Sequence, residues 1–189
     1  MRPAALALLP LLLMATPAQA QVTSCDRLAA HPDDPDKVGP GVSQNDLDAA
    51  RAIAACDSDL RADPKNPRLA YQLGRALFSA GRSETARRHF ATAADAGYRQ
   101  AQFMLGFLAL NIDKRPCEAG EQWRKAARGG HLWAEFSFAS SALSGTFAGC
   151  GWQVPAEEIR GYLASAREKA KGTRIEAEVA GLAKAFGVP

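Results

Sequence analysis

The side chains in this 189-residue chain with the most distinctive chemistry are its four cysteines, Cys25, Cys56, Cys117 and Cys150. Cysteine thiolates act as nucleophiles, as zinc ligands or as partners in disulfides. Zinc sites need paired ligands at short spacing, and the chain has neither a C-x-x-C nor a paired His spacing. Residues 1–20 carry Arg2, an apolar stretch over 4–14 interrupted by Pro10, and a closing Ala18-Gln19-Ala20. That three-part layout predicts a secretory signal peptide, with an apolar run too short to span a bilayer. An even number of cysteines behind such a leader predicts disulfides, because the exported compartment is oxidising. Four cysteines allow three pairings, and the sequence alone does not choose among them. Proximity along the chain favours Cys25–Cys56 and Cys117–Cys150, and in the chain-entropy model each loop of that size is worth roughly 3–4 kcal/mol. With all four bridged, no thiol nucleophile remains. Val22-Thr23-Ser24-Cys25 offers a minor alternative, a lipid anchor on Cys25. That site lies well past the apolar stretch, and using it would leave Cys56 without a partner.

Other reactive groupings are missing from the sequence. There is no Gly-x-Ser-x-Gly elbow, no Ser-x-x-Lys, no His-Glu-x-x-His and no Gly-rich phosphate loop carrying a Lys. The three histidines do not cluster. His131 sits beside Trp133, where packing at a junction is the favoured reading over catalysis. The run Asp33-Asp34-Pro35-Asp36 has the oxygen ligands calcium prefers, although a solvated loop with Asp side chains supporting turns is the simpler reading. Arg87-Arg88-His89 and the basic stretch 167–171 have acidic neighbours and read as solvated helix faces. No catalytic residue, metal or cofactor is expected. A formal net charge of +3 gives no case for nucleic acid or for a polybasic membrane patch. The 47% hydrophobic and 23% charged composition excludes a disordered tail protein and suits one globular domain.

The elements that position these residues emerge from self-similarity. Ala93-Ala94-Asp95-Ala96-Gly97-Tyr98-Arg99-Gln100-Ala101 returns 33 residues later as Ala126-Ala127-Arg128-Gly129-Gly130-His131-Leu132-Trp133-Ala134. Ala86 matches Ala119 and Phe90 matches Trp123 at the same offset, while Leu73-Gly74 matches Leu105-Gly106 at an offset of 32. In 67–80, Ala70, Leu73, Gly74 and Leu77 share one helical face. Gly81 breaks the chain, and Ser83 is expected to cap a second helix whose buried stripe is Ala86, Phe90 and Ala93. Gly97 and Gly130 end their helices. Each unit is thus a helix pair that buries its face only against its neighbours.

These residues resemble the tetratricopeptide repeat and, more closely, its Sel-one-like relative. The Leu-Gly of the first helix and the Ala-x-x-x-aromatic-x-x-Ala-Ala-x-x-Gly-x-x-x-Ala pattern of the second occur twice in tandem over 67–134. The resemblance is partial elsewhere. Residues 47–67 look like a lone second helix, with Asp59 where a small apolar residue is expected. Residues 133–143 read as a third first-helix, 144–154 as a long loop, and a helix from Pro155 to about Lys171 follows. Thr173 is expected to cap a last helix reaching Phe186, striped by Ile175, Val179, Leu182 and Phe186.

The expected architecture is all-α, a right-handed α-solenoid of antiparallel helix pairs with about three repeat units, stapled by disulfides and closed by a C-terminal capping helix. Its organisation is a signal peptide over 1–20, an extended segment over 21–43 tethered by Cys25, and a solenoid over 44–189. Within the solenoid lie a half unit 44–66, repeats 67–98, 99–131 and 132–172, and the cap 173–186. Tethering Cys25 to Cys56 would pin residues 25–44 over the open end, and a Cys117–Cys150 bridge would lock one repeat to the next.

The resemblance implies a concave groove lined by the first helices, where family ligands bind. Outward positions there are Arg68, Tyr71, Arg75 and Phe78, then Phe103, Phe107 and Leu110, then Trp133, Phe136 and Ser140. Aromatic and Arg side chains dominate binding hot spots. Arg68, Tyr71, Arg75, Phe78, Phe107 and Trp133 are therefore the expected partner-binding set, with Phe103 and Phe136 favoured as packing residues. The expected function is a periplasmic or secreted, non-enzymatic module that binds a protein or peptide, without an integral membrane segment in the mature chain, as a monomer or weak homo-oligomer. Two alternatives stand beside it. One is a cell-wall-associated, penicillin-binding-like enzyme or binder, implied by some cysteine-rich Sel-one-like proteins, although no Ser-x-x-Lys carries it here. The other is a structural accessory subunit that docks through its end cap.

Overall fold

A computed structural model describes residues 21–188. The expected signal peptide lies outside the described residues. Within them the chain forms nine α-helices and no strand: α1 (Ser24–Ala29), α2 (Ala49–Ala62), α3 (Pro67–Ser79), α4 (Ser83–Asp95), α5 (Arg99–Asn111), α6 (Pro116–Arg128), α7 (Leu132–Leu143), α8 (Ala156–Ala170) and α9 (Glu176–Ala185). From α2 onward each helix packs on the next in chain order, most extensively within the pairs α3/α4 and α5/α6. This is an α-solenoid, held by local contacts.

Helix boundaries follow from local chemistry. Asn66 opens α3, its side-chain oxygen accepting from the Arg68 and Leu69 amides at 3.1 and 3.4 Å, and Pro67 occupies the first turn, where no amide donor is needed. Gly81 ends the hairpin at φ +75°, and the Arg82 amide returns to the Leu77 carbonyl at 2.9 Å. So tight a turn leaves Ser83 already helical. The residue before α4 is Arg82, which makes no side-chain cap, so the expected Ser83 cap is not formed. The Thr173 expectation fails similarly. Its hydroxyl donates back to the Ala170 carbonyl at 2.6 Å, closing α8, and α9 starts three residues later.

The repeat is visible in the packing. A Cβ on Gly74 would stand 2.8 Å from the Phe90 ring, and one on Gly106 would stand 2.4 Å from Trp123. The same small-against-aromatic contact thus joins α3 to α4 and α5 to α6. Both disulfides take the pairing that chain proximity favours, with Cα separations of 4.4 Å for Cys25–Cys56 and 5.2 Å for Cys117–Cys150. The second ties α6 to the loop before α8. That loop is not a loose connection: Phe147 and Trp152 fold back on Phe138, with ring centroids 5.5 and 6.2 Å away. At the far end, Ile175 and Val179 cover Ala166 and Ala170 beside Trp133 and Phe136, so α9 caps the stack.

The N-terminal segment differs most from expectation. Its first part is helical, because Thr23 and Asp26 form a reciprocal capping box around α1. Asp59, the residue that breaks the repeat pattern of α2, accepts the Cys25 amide at 2.8 Å. A carboxylate at a helix start satisfies an otherwise orphaned donor, which accounts for that departure. Beyond α1, residues 30–48 do not stop at the open end. They run along the stack over α3, the start of α5 and α7. Among the described residues, no helix is long and apolar enough to cross a membrane.

Candidate functional site

One face of the stack is built from α3 and α5, with Trp133 of α7 and Arg174 beyond α8, and the segment 30–44 crosses it as a strap. The acidic residues of the strap and its root meet donors distributed along the stack. Asp26, buried at the strap's root, accepts the Gln72 amide nitrogen at 2.9 Å and lies 3.2 Å from Arg68 Nε. Asp34, fully buried, accepts the Tyr98 hydroxyl at 2.6 Å and the Asp36 amide at 2.9 Å. Asp36 forms a two-pronged ion pair with Arg99. Asp33 accepts from Trp133 Nε1 and from Arg174 Nη2, both at 3.1 Å. The Asp33-Asp34-Pro35-Asp36 run is a partly solvated loop in which Asp34 supports a turn by accepting the Asp36 amide, as expected, and its carboxylates in addition tie the strap to Tyr98, Arg99, Trp133 and Arg174.

Arg75 fixes the strap's backbone. It donates to the carbonyls of Ala29 at 3.1 Å, Ala30 at 3.0 Å and Val42 at 2.7 Å, while the Val42 amide donates to Ala30 O at 2.8 Å. The strap thus closes into a loop clamped by one guanidinium. Gly39 is needed where this loop meets α1, since a Cβ there would stand 2.5 Å from the Asp26 carbonyl oxygen.

Between the strap and the helices a cavity of about 280 Å³ stays open. Its apolar side is Tyr71, Phe78, Phe90, Phe103, Met104 and Phe107, and its polar side is His31, Asp33, Gln44, Arg75, Gln100 and Arg174, with Trp133 between them. Phe107 stands 41% exposed at the rim. Arg174 lies over the Trp133 ring, 5.0 Å from its centroid.

The expected binding residues divide in two. Arg68, Tyr71 and Arg75 are buried, at 7%, 2% and 5% exposure: Arg68 lies against Asp26 of α1 and away from the cavity, whereas Tyr71 and Arg75 form part of the cavity wall. Tyr71 is sandwiched between Phe90 and Tyr98, with centroids 5.7 and 5.5 Å away. Phe78, Phe107 and Trp133 line the same cavity and are the more exposed members of the set. His31, Asp33, Gln44, Gln100, Met104 and Arg174 line it too and were not on the sequence-derived list. The one signal for them was the acidic run, whose charges needed partners that a register argument over the first helices did not supply. Phe103 stacks on His131 at 4.9 Å and Phe136 packs beneath α9, both as packing residues.

Burial dominates the electrostatics. It lowers His31 to about 4, with Arg75 adding to the effect, so the ring is neutral near pH 7. Burial also raises the Asp34 carboxyl above its usual range, against the hydrogen bond from Tyr98, and raises Tyr71 and Tyr98. It lowers Arg75, opposed by Tyr71 and Asp34. His131, one junction deeper, is lowered to about 4 by burial and then by Arg99. Its Nδ1 accepts the Ala134 amide at 3.2 Å, and its Nε2 faces Gln100 Oε1 at 2.7 Å. Those partners require a neutral ring with the proton on Nε2. His131 is thus an aromatic helix cap, consistent with junction packing.

No protein-family model and no curated protein matches the chain.

Proposed function

We propose that the chain is an exported interaction module of the Sel-one-like or tetratricopeptide-related kind, non-enzymatic, that holds a segment of a protein partner against its concave face. The observation that carries the reading is the open aromatic cavity whose rim residue, Phe107, is large, apolar and 41% exposed. An exposed aromatic beside a concave apolar site is where partner side chains gain most from burial. The strap confines this site. Arg68, Tyr71 and Arg75 are buried, so a partner meets the strip Phe78, Phe107 and Trp133 rather than the whole face. Two disulfides and a helical-repeat fold support export, since disulfides persist in oxidising compartments.

Selection from a random peptide library against the oxidised protein tests the reading. The parent is expected to enrich peptides sharing a large apolar anchor, and Phe107→Asp, with an unchanged melting temperature, should lose them. Enrichment by parent and variant alike would remove the cavity from the function. The accessory-subunit alternative would then be favoured if substitutions on α9 abolished the enrichment.

A further inference from the structure

The charges around the cavity do not balance. Arg75 is 5% exposed, and a buried guanidinium is normally paired with a carboxylate, because carbonyl dipoles solvate the charge without neutralising it. Its hydrogen bonds go to three carbonyls, and among the described residues no carboxylate lies within ion-pair distance of it. Asp33 is the one carboxylate on the cavity wall, and it is already shared by Arg174 and Trp133. Asp34 is held by the Tyr98 hydroxyl and by the Asp36 amide, and it acts on Arg75 only from beyond ion-pair distance. At His31, between strap and cavity, the charges of Arg75, Arg174 and Lys37 stand against that of Asp33 alone. Across from this cationic wall are Phe78, Phe103, Met104 and Phe107.

From this juxtaposition of an unpaired buried guanidinium with an open aromatic cavity, we infer that the cavity is a binding site for a small amphipathic monocarboxylate. The carboxylate sits toward Arg75 and Arg174, and the apolar body lies among the rings of α3 and α5. The volume, about 280 Å³, falls at the small end of ligand pockets, which run from roughly 300 Å³ upward. An acid with one ring or a short branched chain fits, and a nucleotide or an oligosaccharide does not. Charge-assisted hydrogen bonds are about twice as strong as neutral ones, so the acid should be preferred over its uncharged analogue. The inference concerns the cavity itself and does not depend on whether a protein partner docks at its rim.

The test is calorimetric titration of the oxidised protein with three probes of matched shape, phenylpropanoate, phenylpropanamide and phenylpropylamine. The acid is expected to bind saturably, the amide about tenfold more weakly, and the amine not at all. Arg174→Gln, at an exposed side chain, should weaken the acid several-fold with an unchanged melting temperature. The His31 ring should titrate at higher pH when the acid is bound, a change that unspecific apolar contact would not produce. Equal affinity for acid and amide, or no saturable binding of the acid, would overturn the inference. So would acid binding undiminished in both Arg174→Gln and Phe107→Asp, since that would place the acid elsewhere.

Discussion

His131 shows how one side chain couples a helix start to solution pH. Its unprotonated Nδ1 is the acceptor that caps α7, and the ring is fully buried. Its folded value of about 4 lies below the ordinary 6.5, so the unfolded chain binds the proton more readily. Stability is therefore unaffected above pH 6.5 and falls as pH drops from there toward 4, by up to about 1.4 kcal/mol per pH unit from this group. His31 adds a loss of the same sign, whereas Asp34, raised by burial, opposes it. In His131→Asn a cap acceptor is kept and the titration removed. Its stability-versus-pH slope between pH 6 and 4 should be shallower by about one proton, read by urea unfolding; an equal slope would mean that the ring charges freely in the folded state. The acidic strap residues divide by burial. The Asp36–Arg99 pair is partly exposed and worth about 0.2–1 kcal/mol, whereas an orphaned Asp34 would cost about 1–3 kcal/mol or more. Asp34 with Tyr98 therefore does more to hold the strap than the ion pair does.

At the scale of elements, two glycines in helices behave oppositely. Gly106 faces Trp123 at a distance no Cβ tolerates, and the indole is itself held by a hydrogen bond to the Phe103 carbonyl at 3.1 Å. Gly106→Ala is expected to destabilise by about 1–3 kcal/mol through overpacking. Gly161, inside α8, has open space where a Cβ would go, and Gly161→Ala should stabilise by about 0.5–1 kcal/mol. Thermal unfolding of the pair measures both, and a Gly106→Ala variant as stable as the parent or more so would mean that the α5–α6 approach is not tight. The repeat pattern made these helices legible, because Gly74 and Gly106 with Phe90 and Trp123 are one contact written twice. The strap was not legible. Its contacts join residues as far apart as Asp33 and Arg174, its turns follow no period, and helical register places Tyr71 and Arg75 on the concave side without saying what covers them. Asp59 is instructive here. It reads as a defect in the repeat until α1 is seen to begin beneath it. Ser83 and Thr173 missed their capping roles because hydroxyl-bearing residues near helix ends also serve as first-turn residues or close the preceding helix.

The whole molecule is a chain of neighbours, and its two disulfides staple different ends. Apart from the strap, which reaches Trp133 and Arg174, a perturbation in such an array passes mainly between neighbouring helices. Replacing Cys25 and Cys56 by Ala should cost about 2–4 kcal/mol and speed hydrogen exchange in α1, α2 and the strap, leaving α6 and α7 protected. Replacing Cys117 and Cys150 should do the reverse, opening α6 and the loop around Phe147. Uniform loss of protection in either variant would contradict the solenoid account.

The strap also decides how a binding role is best tested. Tyr71→Ala or Arg75→Ala would remove a buried ring or the clamp on the strap, and loss of partner would then report unfolding. Phe107 and Phe78 are the positions where binding and folding separate. The most direct measurement is crosslinking capture from the exported fraction of the native host with oxidised parent and with Phe78→Ala/Phe107→Asp, matched in helical content and melting temperature. The account predicts a partner recovered by the parent and lost by the variant, with crosslinks on the strap, α3 or α5. Equal recovery by both, with crosslinks confined to α9, would contradict it.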